Sequence, residues 1–120
     1  MRVLVVDDEK IVADSTVLVF QKYGHEAKAV YCGEDAINVI HKFQPNLLLT
    51  DVKMSGMNGI ELAIRMCAEM PSCKILLMSG QTETANLLET AKEQGLNFEI
   101  VAKPIMPAEL VNKAVQMVNG

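Results

Sequence analysis

Side chains able to do chemistry stand directly after four short apolar runs of this 120-residue chain. These run-end residues are Asp7 and Asp8, Asp51, Ser79 and Lys103. Three carboxylates held together repel one another, so either their pKa values rise or a cation joins them. Carboxylate oxygens with room left for water suit Mg²⁺, and a metal with an open side can receive phosphate oxygens. A lysine and a serine beside them could bind the same oxygens, so these residues together favour metal-assisted phosphate chemistry.

This chemistry requires the apolar runs to be neighbouring strands that end at one edge of a sheet. Leu47-Leu48-Leu49 cannot alternate between core and solvent, and it suits a strand buried on both faces. Five strand-like runs alternate with five helical patterns, which predicts an α/β fold with a parallel sheet between two helical layers. Five strands favour the order 2-1-3-4-5 of a flavodoxin-like (βα)5 fold, with a ligand-binding switch point between strands one and three.

The element boundaries follow from apolar spacing and from turn residues. The predicted strands are Arg2 to Val6, His25 to Tyr31, Leu47 to Thr50, Lys74 to Met78 and Phe98 to Ala102. In the first helix, Ile11, Val12, Leu18 and Val19 are predicted to form the buried face, and Gly24 to end it. The fourth helix is predicted to begin at Thr82, to bury Leu87, Leu88 and Ala91, and to end at Gly95.

Composition narrows the class of protein. The length fits a single domain over residues 1–120, and the net charge of −4 gives no basic footprint for nucleic acid. The longest uninterrupted apolar run has four residues, too short for a membrane span or a signal-peptide core. Three cysteines without a CxxC pair favour free thiols in a reducing compartment. We therefore expect a cytoplasmic protein.

Several phosphate- and nucleophile-based chemistries do not fit the pattern. Asp7-Asp8-Glu9 occupies the loop where nucleotide-binding relatives of this fold place a Gly-rich or hydroxyl-rich phosphate cradle, and three acids would repel a bare phosphate. The GxxxxGK[ST] motif is absent. Neither histidine ends a predicted strand, which argues against a Ser-His-Asp arrangement.

With these motifs in order over nearly the whole chain, the sequence resembles the receiver domain of two-component response regulators. The resemblance rests on Val5-Val6-Asp7-Asp8-Glu9, Leu48-Leu49-Thr50-Asp51 followed by Met54 and Gly59, Met78-Ser79-Gly80, and Ala102-Lys103-Pro104. Each motif is weak alone, and the four together at this spacing are specific.

The resemblance implies a role for each of these residues. Asp51 would accept a phosphoryl group from a phosphohistidine, with Asp7, Asp8, Asp51 and the backbone carbonyl of Lys53 holding Mg²⁺, for which Mn²⁺ or Ca²⁺ can substitute. Ser79 and Lys103 would bind phosphoryl oxygens, and Gly80 would leave room for them. The Lys103–Pro104 bond would be cis. The protein would be a signalling module that catalyses only its own phosphorylation and slow dephosphorylation.

The implied partners are a sensor histidine kinase or phosphotransfer protein, and a downstream target protein or a separate output domain. The signal would leave through the face formed by helix four, strand five and helix five. Neither nucleic acid nor membrane is expected as a direct partner.

The sequence departs from the family pattern in the loop after Asp51 and at the switch. Ser55 stands where many receivers have Pro, and Ile100 stands where many carry an aromatic residue. Switching would then depend on movement of helix four and its loop. Lys53 and Gln81 occupy the positions that tune the access of water to the acyl phosphate.

Two other functions remain open. A pseudo-receiver would keep the fold without phosphotransfer, although the intact acids and Lys103 favour phosphorylation. An aspartyl-nucleophile phosphatase needs a second Asp two residues after the nucleophile, and Lys53 stands there instead.

Overall fold

The computed structural model describes residues 1–80, 89 and 91–120. Its five strands are β1 (Arg2–Val6), β2 (Glu26–Val30), β3 (Leu47–Asp51), β4 (Lys74–Ser79) and β5 (Glu99–Ala102). All pairings are parallel, in the order β2-β1-β3-β4-β5. The predicted α/β fold and strand order are confirmed, and each predicted strand is present with its ends shifted by at most one residue.

Four helices are complete within the described residues. They are α1 (Lys10–Lys22), α2 (Gly33–Phe43), α3 (Gly59–Glu69) and the C-terminal helix (Pro107–Asn119). The helix α3 begins with a reciprocal pair of bonds, in which the Asn58 side chain accepts from the Glu61 amide and the Glu61 side chain accepts from the Asn58 amide. Pro107 starts the C-terminal helix, a position that its preset φ suits. Among the described residues, no helix is long and apolar enough to cross a membrane.

The sheet separates two apolar layers, as the leucines of β3 predicted. Leu48 packs with residues of α2 and α3, whereas Leu47 and Leu49 pack with residues of α1 and the C-terminal helix. All three leucines are 0% exposed. Burial on both faces makes β3 the rigid centre of the fold, and Asp51 lies at its carboxyl end.

The predicted buried face of α1 is wrong for two of its four residues. Ile11 is 83% exposed and Leu18 is 65% exposed, whereas Val12 is half-buried and Val19 packs against the apolar layer. The helix instead buries Ala13 and Phe20, with Val17 packed against the same apolar layer. Both stripes have the apolar spacing of an amphipathic helix, and periodicity alone does not say which stripe faces the sheet. The large Phe20 ring covers more sheet than an aliphatic side chain does, so its stripe turns inward.

The predicted fourth helix falls largely outside the described residues. Thr82, Leu87 and Leu88 lie there, so their predicted roles stay predictions. The described end of this segment agrees with the prediction, because residues 91–93 are helical and Ala91 is 1% exposed. Gly95 has φ of 78°, which suits a glycine that follows a helix.

Candidate functional site

The carboxyl ends of four strands meet at one edge of the sheet. Val6 pairs with Thr50, so the residue after β1 and the last residue of β3 lie side by side. On the other side of β3, Asp51 pairs with Met78, and Ser79 pairs with Ala102. This register brings the residues of the four motifs to the predicted switch point.

Lys103 joins two carboxylates in this crevice. Its ammonium nitrogen lies 3.3 Å from Asp51 Oδ2 and 3.3 Å from Asp7 Oδ2. Asp7 is 0% exposed and Asp51 is 9% exposed, so both carboxylates are largely removed from water. A buried carboxylate without a positive partner would be costly, and a single ammonium serves both.

Ionisation of Asp51 remains less favourable than in water despite this ion pair. Burial raises the pKa of Asp51, Lys103 lowers it, Asp7 raises it again, and the net pKa lies above the ordinary value. Burial lowers the pKa of Lys103, but Asp51 and Asp7 outweigh it and the net pKa lies above the ordinary value. Burial, together with the charge of Asp7, therefore outweighs the effect of Lys103 on the Asp51 carboxylate.

The donor set fits a small divalent cation. Asp7, Asp8 and Asp51 each offer an oxygen, and these three atoms lie within 4.8 Å of one another. When ionised, the three carboxylates exceed the charge of Lys103 by two, the charge of one Mg²⁺. Asp8 is exposed, so the group has a side open to water, which Mg²⁺ usually keeps among its ligands.

Backbone amides hold two of these acids in place. Asp7 accepts a hydrogen bond from the Glu9 amide at 3.0 Å, just before α1 begins. Asp8 accepts one from the Ser55 amide at 3.2 Å, which ties the end of β1 to the loop after Asp51. Amide donors orient a carboxylate without neutralising it, so both remain suited to bind a cation.

The loop after Asp51 is attached at both ends. The Val52 amide donates to the Met78 carbonyl at 3.0 Å, and the Gly59 amide donates to the Val52 carbonyl at 2.8 Å. A Cβ on Gly59 would collide with the carbonyl oxygen of Asp51. Lys53 is exposed in this loop, and its carbonyl as a metal ligand stays a prediction.

The other predicted site residues lie at the ends of β4 and β5. Ser79 is 9% exposed, and its carbonyl accepts the Lys103 amide at 3.0 Å. The Lys103–Pro104 bond is cis, as the resemblance implied. Ile100 is 38% exposed on β5. Among the described residues, a Cβ on Gly80 would touch only the Cβ of Lys103, at 3.8 Å. Gln81 lies outside the described residues.

Two glycines matter here for reasons that sequence analysis missed. In the sequence, Gly59 is singled out only as part of a motif, and Gly33 is not singled out. Both leave space that another segment fills, the Asp51 carbonyl at Gly59 and the Met57 side chain at Gly33. The available signal was a glycine at the first position of a helix. The backbone conformation there does not require glycine, so its presence indicates that another segment comes close.

The sequence model of the response regulator receiver domain family matches residues 3–115. The chain belongs to this family. Its relatives include the DNA-binding response regulator MtrA of Mycolicibacterium smegmatis, 30% identical over 110 residues, which are 92% of this chain and 47% of that protein. MtrA of Mycobacterium leprae is 29% identical over the same share of this chain and 48% of its own length. This receiver domain thus spans about half the length of these relatives.

Solved structures agree with the family assignment. A two component transcriptional regulator AraC from Clostridium phytofermentans ISDg is 31% identical, with a TM-score of 0.79 over 99% of this chain and 92% of that chain. A CheY-like receiver domain protein from Methanospirillum hungatei JF-1 is 25% identical, with a TM-score of 0.85 over 98% and 93%. The relatives named MtrA are described as DNA-binding, which stands partly against the expectation of no nucleic-acid contact.

Proposed function

We propose that this receiver domain is a phosphorylation-controlled signalling module whose acceptor is Asp51. One observation carries the proposal. The Asp51 carboxylate stands at the end of a fully buried strand, 3.3 Å from the Lys103 ammonium, and two further acids have oxygens within 4.8 Å. A nucleophile held on a rigid strand beside positive charge suits phosphoryl transfer, because this reaction depends on positioning and electrostatics.

The transfer itself needs only one bond to form and one to break. An Asp51 carboxylate oxygen attacks the phosphorus of a phosphohistidine, a P–O bond forms, and the P–N bond to the imidazole breaks. The imidazole leaves with the electron pair and takes a proton from water. Asp51 must react as the carboxylate, so a cation that offsets its raised pKa also keeps it reactive.

Asp7, Asp8, Asp51 and the carbonyl of Lys53 are the proposed ligands of Mg²⁺, and Mn²⁺ or Ca²⁺ could replace it. When bound, the ion would offset negative charge on the phosphoryl oxygens. The Lys103 ammonium lies 3.3 Å from Asp51 Oδ2, and it can exchange this contact for one with a phosphoryl oxygen. The Ser79 hydroxyl is the proposed donor to a second phosphoryl oxygen, and Gly80 beside it, which has no side chain, leaves room for the phosphoryl group.

The acyl phosphate would be lost slowly to water, the only other chemistry proposed for this chain. Lys53 is exposed in the loop that follows the acceptor, where its side chain can order or exclude a water molecule. Gln81 is the second residue proposed to tune this rate.

The signal would leave through the side of the sheet that carries β4, β5 and the C-terminal helix. The Lys103 amide donates a hydrogen bond to the Ser79 carbonyl at 3.0 Å, so displacement of either residue would move the ends of both β4 and β5. Ile100 offers no aromatic ring to rotate, and switching is therefore proposed to use helix four and its loop. This is a local charge event that biases a two-state element.

The proposed partners are a sensor histidine kinase or a phosphotransfer protein upstream, and a target protein or an output domain downstream. The proposed location is the cytoplasm, where such phosphoryl donors are found. The MtrA relatives are more than twice as long as the matched region and are described as DNA-binding, which favours an output domain outside this receiver fold.

The proposal is tested with acetyl phosphate as the donor. The wild type should gain one phosphoryl group in intact-mass spectra when Mg²⁺ is present, and none in EDTA. Asp51→Asn removes the nucleophile while keeping the side-chain shape, and it should gain none in either condition. A wild type that binds Mg²⁺ and stays unmodified would instead identify a pseudo-receiver.

A further inference from the structure

Gly33, the first residue of α2, is buried against Met57 in the loop after the acceptor. A Cβ on Gly33 would lie 2.8 Å from Met57 Sδ, 3.0 Å from its Cβ and 3.1 Å from its Cγ. Carbon and sulfur in van der Waals contact stay farther apart than this. Any side chain at position 33 therefore forces a movement.

The glycine is needed for this space and not for its backbone freedom. The glycines with positive φ are Gly24, Gly56 and Gly95, and Gly33 is not among them. Alanine is a better helix former than glycine, by about 1 kcal/mol in a helix interior. Local conformation alone would thus favour alanine at the start of α2.

Rotation of the Met57 side chain would not relieve the crowding completely. The thioether could turn away, but the Met57 Cβ is fixed to the main chain and would still lie 3.0 Å from the new Cβ. The side chain also packs against the apolar layer beneath α2 and α3, which limits other rotamers. The main chain of the loop at Met57 would have to move away from α2.

This movement would reach the candidate metal site. Ser55 lies two residues before Met57, and its amide donates to Asp8 at 3.2 Å. Lys53, whose carbonyl is a proposed ligand, lies in the same loop between the attachments at Val52 and Gly59. With both ends attached, displacement at Met57 is taken up in the middle of the loop, where these groups lie.

We propose that Gly33 is a positioning residue for the metal and phosphoryl site, acting through Met57 on the loop that holds Asp8. It touches neither the proposed ion nor the acceptor. The absence of a Cβ lets the loop approach α2 closely enough for the Ser55 amide to reach Asp8. This inference rests on the proposed function, because it assigns Gly33 a role in Mg²⁺ binding at that site.

The test is a double-mutant cycle of Gly33→Ala and Met57→Ala, read by calorimetric titration with Mg²⁺. Gly33→Ala should weaken Mg²⁺ affinity by roughly tenfold, the lower end of the effect of groups that orient metal ligands. The double variant loses the contacts with Sδ and Cγ but keeps the 3.0 Å contact with the Met57 Cβ, so it should regain about half of that loss on a logarithmic scale. Met117→Ala truncates another half-buried methionine, on the C-terminal helix, and should leave the affinity unchanged.

Two further measurements separate this inference from the proposed function. Unfolding in EDTA shows whether Gly33→Ala costs stability alone, and acetyl phosphate with Mg²⁺ gives phosphoryl uptake. If the wild type binds Mg²⁺ and takes up phosphate, and Gly33→Ala binds Mg²⁺ with the same affinity as the wild type, the inference is overturned and the proposed function stands. A tenfold loss that Met57→Ala rescues, in a protein that takes up no phosphate, would support the inference and overturn phosphorylation. A wild type that binds no Mg²⁺ would overturn both.

Discussion

The ammonium of Lys103 contacts both Asp51 and Asp7, at 3.3 Å in each case, although the two acids come from different strands. One cation therefore compensates two carboxylates that burial has removed from water. Asp8 adds a third carboxylate at the exposed side of the crevice. When ionised, the three carboxylates carry more negative charge than the single ammonium of Lys103 offsets. A divalent ion would reduce this excess, and a phosphoryl group would increase it.

Removal of the Lys103 charge should be costly. Lys103→Met leaves Asp7 and Asp51 without their positive partner, and we expect the free energy of unfolding in EDTA to fall by about 2 kcal/mol. Urea denaturation provides the measurement. Lys113→Met is the matched control, because it breaks an exposed pair with Glu99 of 3.0 Å and should cost at most about 0.5 kcal/mol. Equal losses in the two variants would show that the buried contacts of Lys103 contribute nothing special.

Asp51→Asn should stabilise the metal-free protein at neutral pH. The folded pKa of Asp51 is raised, mainly by burial, so its ionisation opposes folding. The stability that the wild type gains from a protonated Asp51 is fully present below the unfolded pKa of 3.8, and it is lost as pH rises through the folded pKa. The variant should therefore be more stable than the wild type at pH 7. Thermal unfolding in EDTA should show the gap closing as pH falls towards 4, and a gap that widens on acidification would contradict this.

Gly59→Ala should disrupt the acceptor strand. The new Cβ would collide with the Asp51 carbonyl and press on the main chain of Val52, neither of which can rotate away. We expect a loss of about 2 kcal/mol in the free energy of unfolding. Gly80→Ala is the control at another strand end, since against the part of the chain that the structure describes its Cβ would make an ordinary 3.8 Å contact, and it should change stability by less than about 0.5 kcal/mol. If the order of the two variants were reversed, the packing of α3 against Asp51 would be misassigned.

Cys73 should resist alkylation in the folded protein. Burial raises the pKa of its thiol to about 12, so at pH 8 it is almost wholly protonated and unreactive. Burial also raises the pKa of Cys67. Iodoacetamide at pH 8 should label the partly exposed Cys32 first and Cys73 last, as read by peptide mass spectrometry. In urea all three cysteines should react at similar rates, which serves as the control. Early labelling of Cys73 without denaturant would contradict its burial.

The architecture of the site could be predicted from sequence because strand ends are local features. A buried run such as Leu47 to Leu49 identifies the strand, and parallel order then places Asp51 near Asp7. The distances that Lys103 makes to both acids could not be predicted, because they depend on the path of the chain after β5. The hydrogen bond from the Ser55 amide to Asp8 also could not be predicted, because every residue except proline has a backbone amide and residue type does not show where it donates.

The errors have a common physical origin. Ile11 and Leu18 form an apolar stripe on α1, but they lie in solvent because Phe20 on another stripe fills the space against the sheet. Gly33 likewise gives no signal in periodicity, because its role is the room that it leaves for Met57. Sequence patterns report which residues are apolar or flexible, whereas packing decides which of them meet.

Borohydride reduction tests the central claim most directly. After incubation with acetyl phosphate and Mg²⁺, reduction converts an aspartyl phosphate into homoserine, and peptide mass spectrometry locates it. We predict homoserine at position 51 alone, and none when EDTA replaces Mg²⁺. Homoserine at position 7 or 8, or an unmodified Asp51 in a protein that binds Mg²⁺, would contradict the assignment of Asp51 as the acceptor.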